Sequence, residues 1–354
     1  MSKVDIRGKN ILLIGGAGFI GHNLALTLKA NEANVEICDP LQVNNLISLH
    51  NSDSNLAERP LYIDIIHERL RLLREANIPI HTEDARDYFR LSLLFEKTKP
   101  DIVILLAAVS HSSRSNKDPF STFDHSFRTL ENALDCSKGR VGHFIYFSSS
   151  MVYGNFKSEY VTEDMNCEPL GIYGALKYGG EKLVIAYNQV FNLPYTIIRP
   201  SALYGERCIS RRIGQIFIEN ALRGNNLMIK GDGTETLDFT YIEDLVDGIH
   251  KCITNTNSYN QIFNLTYGKA MSLNDMAKII QSEFNNIEVV HTERDNLVPK
   301  RGTLDISKAK DLIDYNPANN LEVGYKKYIN WYKEFSRESI GFNQKGAFLT
   351  QSNE

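Results

Sequence analysis

The chain has 354 residues, 42% of them apolar and 23% charged, with a formal net charge of -4. That length buries one large core or two unequal ones, and the composition is that of an ordinary soluble enzyme. The charge gives no reason to expect nucleic acid or an anionic membrane as a partner. The cysteines at 38, 136, 167, 208 and 252 are scattered without CxxC spacing, which reads as free thiols in a reducing compartment. No stretch approaches about 18 apolar residues, and the start lacks a secretory apolar segment, so a cytoplasmic location is expected.

Along the chain, Asn10–Ile14 is a short apolar run that ends in Gly15-Gly16-Ala17-Gly18-Phe19-Ile20-Gly21. Residues 22–30 have helical spacing, and 35–39 form a second strand ending in Asp39. This is a strand–helix–strand unit of about 30 residues, the context in which a glycine loop marks a dinucleotide site. Residues 44–75 are polar and then helical, with Ile65, Leu70 and Leu73 as an apolar stripe. A third strand is expected at 78–82, followed by Asp84, and helices at 88–98, 120–137 and 172–190. The apolar runs 102–108, 144–150 and 195–199 read as strands covered on both faces. Such alternation predicts an α/β fold, a Rossmann-type doubly wound parallel sheet.

After Pro200 the alternation is interrupted by loops. Helices are expected at 213–223, 243–253, 272–284 and 321–335, and short strands at 227–230, 261–265 and 287–291. The expected division is a dinucleotide-binding domain over 1–195, a smaller C-terminal α/β substrate-binding portion over 196–338, and a flexible tail over 339–354. The first boundary is soft, because later segments can return to the main sheet. No internal repeat is visible.

The glycine loop has a role for each position. Gly15 permits a tight turn, Gly18 lets the backbone approach a diphosphate, and Gly21 allows close packing of helix on strand. The orphan N–H groups and the positive end of the next helix favour that diphosphate. Asp39 is placed to accept hydrogen bonds from the adenosine ribose and would repel a 2'-phosphate, which favours NAD over NADP. Asp84 is a candidate for the adenine amino group.

Tyr173 and Lys177 stand four apart in a predicted helix and so share a face. A phenol has a reference pKa of about 10. A neighbouring ammonium and an oxidised nicotinamide lowering it by about 3 units would favour the phenolate by roughly 4 kcal/mol. That makes Tyr173 a general base for a sugar or alcohol hydroxyl. The serine run 148–150 ends a predicted buried strand, and periodicity alone does not choose among its members.

These features, with Leu106-Ala107-Ala108, SSSMVYG at 148–154, YGALK at 173–177, IRP at 198–200 and GDGTETLDF at 231–239, resemble the extended short-chain dehydrogenase/reductase family. Within it the nucleotide-sugar epimerases and dehydratases are nearest in pattern, over about residues 10 to 332. The resemblance implies catalytic Ser149, Tyr173 and Lys177. It implies a cofactor site of Gly15, Gly18, Phe19, Ile20, Gly21, Asp39, Asp84, Ala85, Leu106, Ala107, Ala108 and Lys177. Substrate contacts are implied at Ser110, His111, Ser112, Ser150, Tyr204, Arg212 and Arg301, and no metal. The family's 4,6-dehydratases carry an Asp-Glu pair directly after the catalytic hydroxyl, where this chain has Ser150 and Met151. A thioether neither accepts nor delivers a proton. Dehydration is therefore disfavoured, leaving reversible C4 oxidation of a nucleotide-diphosphate sugar, as a 4-epimerase or as a C4 dehydrogenase or 4-ketoreductase. Helices 120–137 and 172–190 correspond to the family's dimer seam, which implies a homodimer.

Three departures stand out. Leu237 replaces an Arg that grips the substrate diphosphate, Ala202 replaces an Asn, and Ser126 replaces an Asn that reaches the sheet. Arg207, Arg211, Arg212 and Arg301 are the candidates to restore the lost charge, Arg301 first.

Overall fold

The computed structural model describes residues 3–50, 58–109, 112–293 and 299–338. Seven strands form one parallel sheet: β1 (Asn10–Ile14), β2 (Asn34–Cys38), β3 (Ile80–His81), β4 (Ile102–Leu105), β5 (His143–Phe147), β6 (Tyr195–Arg199) and β7 (Gln261–Asn264). Their order is β7-β6-β5-β4-β1-β2-β3. The chain runs outward from β1 through β2 and β3, then returns to pair β4 with β1 on its other side. Direction reverses between β1 and β4, and in open sheets ligands bind in the crevice above such a point.

Alternation along each strand explains the two layers of helix. Leu12, Ile14, Val103, Leu105 and Phe144 point to one face, against α3 (Tyr88–Thr98), α4 (Thr129–Ser137) and α5 (Gly171–Phe191). Ile11, Leu13, Ile37, Ile104 and Ile145 point to the other, against α1 (Phe19–Ala30) and α2 (Arg59–Glu75). Burying each such side chain contributes about 1.5–3 kcal/mol. The second core continues without a break into the C-terminal helices α6 (Ile213–Leu222), α7 (Ile242–Ile253), α8 (Leu273–Glu283) and α9 (Leu321–Glu338).

Where the structure departs from the sequence reading, the chain is leaving the sheet to build a site. The apolar run 102–108 is strand only to Leu105, because the amides of Leu106 and Ala107 both turn onto the Ile14 carbonyl. The run 144–150 stops at Phe147 and gives way to a 3-10 turn, Ser150–Tyr153, capped by the Ser149 hydroxyl. The helix expected over 120–137 is Pro119–Phe123 and α4, joined by one π turn at Asp124–Arg128. The segment expected as a strand at 261–265 returns to the sheet as β7, beside β6. The expected tail, 339–354, lies outside the described residues.

Candidate active site

The ends of β1, β2 and β4 open onto a cleft. Gly15, Gly18, Phe19, Ile20, Gly21, Asp39, Asp84, Ala85, Leu106, Ala107 and Ala108 all line it. Gly15 has φ 83, a left-handed conformation, and a Cβ there would lie 2.6 Å from the Ala107 amide nitrogen. Only glycine lets the loop pass so close to the segment after β4. Gly18 caps α1 without any side-chain hydrogen bond, so the first turn still offers its N–H groups and positive dipole end. Asp39 accepts from the amides of Ala17 at 3.0 Å and Leu41 at 2.8 Å, which fixes the carboxylate at the rim of the cleft. Burial raises its pKa, while those amides and the charge of Arg69 oppose the rise. An open glycine turn, an uncapped helix start and a fixed acid at the end of β2 fit a dinucleotide such as NAD.

Asp84 is committed to a protein partner. Arg86 grips both of its oxygens, at 3.0 Å through Nε and 2.6 Å through Nη2, and reaches on to Asp124 at 2.8 Å. Burial alone would raise the Asp84 carboxyl, but these bonds hold it below its ordinary value. Arg69, Ser210 and His125 also line the cleft, and sequence reasoning did not single them out. Ser110 and His111 lie outside the described residues, and Ser112 begins a short helix, Ser112–Lys117.

Helix α5 approaches the strand ends closely. A Cβ on Gly174 would stand 2.8 Å from the Met151 carbonyl oxygen, so the glycine lets the helix seat against the 3-10 turn. That seating brings the half-buried Tyr173 phenol near the Ser149 hydroxyl, which favours the phenolate. Ser149 also accepts from the Met151 amide at 3.2 Å, which fixes its rotamer. Ser150 is 2% exposed and sits behind this pair, its amide bonded to the Pro200 carbonyl.

The electrostatics differ from the sequence expectation. Burial raises the Tyr173 phenol, and the cation that pulls it back is Arg212, together with the Ser149 hydroxyl. Lys177 is not that cation here. It is buried, and its Nζ donates to the Phe147 carbonyl at 2.6 Å, 5.1 Å from the centre of the Tyr146 ring. Burial lowers the ammonium to about 8, against the opposing charge of Glu181 one turn further on. Glu181 in turn takes Arg199 bidentately, at 2.9 and 2.7 Å, and accepts from Ser148. Arg199 reaches Tyr153 at 2.8 Å, whose hydroxyl reaches Asn264 at 2.8 Å. A buried ion pair thus ties the serine strand, α5 and β7 together.

The arginine candidates separate cleanly. Arg207 is engaged with His22 and Arg211 with Glu58. Arg212, at the start of α6, acts on both Tyr173 and Arg301, and Arg301 has its Nε buried with no hydrogen-bond partner among the described residues. Burial and the neighbouring Arg212 lower the Arg301 guanidinium to about 10. Two neighbouring cations, one of them with an orphaned donor, make a site for a polyanion. Leu237, where an Arg was expected from the resemblance, is packed in the core. Tyr204 is corrected as well. It is 3% exposed and packs on Tyr241, Tyr325 and Tyr328, so it belongs to the core under α9 and not to a sugar pocket. Ala202 has φ 38, the region in which the Asn it replaces is at ease. Ser126 still reaches the segment after β4, accepting from the Val109 amide at 3.3 Å.

Residues 11–266 match the NAD dependent epimerase/dehydratase family. The chain belongs to that family. A putative UDP-glucose 4-epimerase of Methanocaldococcus jannaschii is 29% identical, over 92% of this chain and 99% of its own. A dTDP-D-glucose 4,6-dehydratase of Dictyostelium discoideum is also 29% identical, over 79% of this chain and 63% of its own. The crystal structure of UDP-glucuronic acid 4-epimerase from Bacillus cereus, in complex with UDP-glucuronic acid and NAD, superposes with a TM-score of 0.80 at 27% identity. That superposition covers 92% of this chain and 99% of the other. As a member of an NAD-dependent family, the chain uses NAD as its cofactor. Family membership alone does not choose a reaction, because its relatives include both epimerases and a dehydratase.

Proposed function

We propose that this chain is an NAD-dependent nucleotide-sugar 4-epimerase. The observation that carries the reading is the acid–base content of the site. The Ser149 hydroxyl acts on the Tyr173 phenol, while the two positions after Ser149 are Ser150 and Met151. A 4,6-elimination needs acids there, and a thioether supplies none.

Gly15, Gly18 and Asp39 hold the cofactor, with Lys177 placed to reach its ribose on leaving the Phe147 carbonyl. Bound there, NAD supplies the acceptor, and later the donor, of the hydrogen and electron pair at sugar C4. Ser149 holds the C4 oxygen. Tyr173 takes the hydroxyl proton and returns it after the 4-keto sugar has presented its other face. Arg301 and Arg212 hold the diphosphate, the pivot about which the sugar turns. A partner copy is also part of the proposal: Phe120, Phe123, Val190 and Phe191 are exposed on the helices of the expected seam.

The test is to incubate the purified protein with UDP- and GDP-sugars and resolve products by NMR. Formation of the C4 epimer without added cofactor supports the reading. Stoichiometric build-up of reduced cofactor would replace it with net C4 oxidation, and no reaction with any sugar would overturn both. Arg301→Met should raise KM for an active sugar roughly 10- to 100-fold, the equivalent of one charge-assisted contact.

A further inference from the structure

Arg69 is an unusual resident of α2. It is 1% exposed, on the helix face that otherwise carries Leu61, Ile65, Ile66 and Leu73 into the core. Its Nε and Nη2 both donate to the Arg207 carbonyl, at 2.8 Å for Nε. Its Nη1 is buried and has no hydrogen-bond partner among the described residues, and the side chain lines the cofactor cleft. A buried guanidinium nitrogen left unpaired costs about 1–3 kcal/mol or more, so a fold that keeps one calls for an occupant.

The surroundings say what kind. Arg207 donates through Nε to His22 Nε2 at 3.1 Å, and His22 Nδ1 meets the Gly18 carbonyl at 3.0 Å. A carbonyl only accepts, so Nδ1 carries the proton and Nε2 is the free acceptor that Arg207 uses. Burial and the charges of Arg69 and Arg207 keep this ring neutral. Arg69 therefore stands behind the start of α1, beside the loop that approaches a diphosphate, with Asp39 as the nearby acid. The cofactor's anionic part is its diphosphate.

We infer that Arg69 binds the cofactor diphosphate through Nη1, so that α2 contributes a contact to the nucleotide site. This rests on the cofactor site described above. Because the other two nitrogens hold Arg207, the same side chain links the nucleotide to the loop that carries Arg212.

The experiment is a titration of the stripped protein and of Arg69→Met and Arg69→Gln with NADH, ADP and adenosine, followed by fluorescence or calorimetry. The expected result is a roughly 10- to 100-fold loss of NADH and ADP affinity with adenosine binding unchanged. Equal affinities in wild type and variants overturn the inference, and so does equal weakening of adenosine, which marks a structural role. If the wild type binds no NADH, the cofactor site itself is wrong, a separate failure. Should both variants fail to fold, a crystal structure of the wild-type holoenzyme decides. Nη1 on a phosphate oxygen supports the proposal, and Nη1 on protein or water alone overturns it.

Discussion

Replacing Lys177 with Met should abolish turnover and yet leave the protein at least as stable at pH 7. The ammonium is fully enclosed, with the Phe147 carbonyl and the Tyr146 ring as its contacts and Glu181 as its opposing charge. Its pKa falls from 10.5 to about 8 on folding, so the charged form is penalised. A displacement of that size corresponds to about 3 kcal/mol. Between pH 8 and 10.5 the unfolded chain binds more protons at this group than the native one does. Stability from this group therefore rises with pH through that window and is lost in full below it. Methionine fills a similar volume without the charge, at the loss of one hydrogen bond worth about 1 kcal/mol. The net expectation is a gain of about 1–2 kcal/mol at pH 7. Urea unfolding of both proteins at pH 7 and pH 10 measures it. The variant should have the higher midpoint at pH 7, and the gap should close at pH 10. A variant clearly less stable at pH 7, or a pH-independent difference, would refute the reasoning.

Tyr173→Phe should lower kcat by about 10²–10⁴, the usual contribution of a positioned base, while NADH still binds with its original affinity. Equal loss of NADH binding would show that the phenol holds the fold or the cofactor instead. Glu181→Gln should destabilise the protein by about 3–5 kcal/mol, because it leaves the buried Arg199 unpaired. An unchanged urea midpoint would contradict the reading of that ion pair as the tie between strand and helix. In the same variant the alkaline limb of the pH–rate profile should move to lower pH, since Glu181 is the charge that opposes the fall in the Lys177 pKa.

The sheet was legible because its determinants are local. Runs such as 102–105 and 144–147 are apolar on both faces, which only a covered parallel strand needs. The glycine loop, Asp39 and the Tyr173–Lys177 spacing were legible for a related reason. Each depends on backbone geometry within one unit, and the unit's period puts them on one edge or one face. The ends of elements were not legible. Leu106 and Ala107 are as apolar as the strand before them, and what ends the strand is a turn of their amides onto Ile14. The π turn at Asp124–Arg128 has no sequence signature either, although it carries both His125, at the cleft, and Ser126, which holds Val109.

Charge was the least legible property, and for one physical reason. The effect of a guanidinium depends on what lies within a few ångströms of it after folding, and the chain brings those groups from far away. Arg207, Arg211, Arg212 and Arg301 were all candidates to replace the charge absent at Leu237, Arg301 first. Only the folded chain sends Arg207 to His22 and Arg211 to Glu58, leaving Arg212 as the cation that acts on both Tyr173 and Arg301. Arg69 was hidden more deeply, since a cation inside a helix with an apolar stripe reads as a solvated edge position. Tyr204 erred in the opposite sense, a phenol beside an arginine-rich loop that turns out to be core. The consequence is mechanistic. The cation that acts on the base lies 35 positions beyond Lys177 in sequence, so a substrate diphosphate that neutralises Arg212 also removes a charge that favours the phenolate. Tyr173 should then be a weaker acid in the sugar complex than the free site suggests, unless the oxidised cofactor and a released Lys177 supply the positive charge in its place.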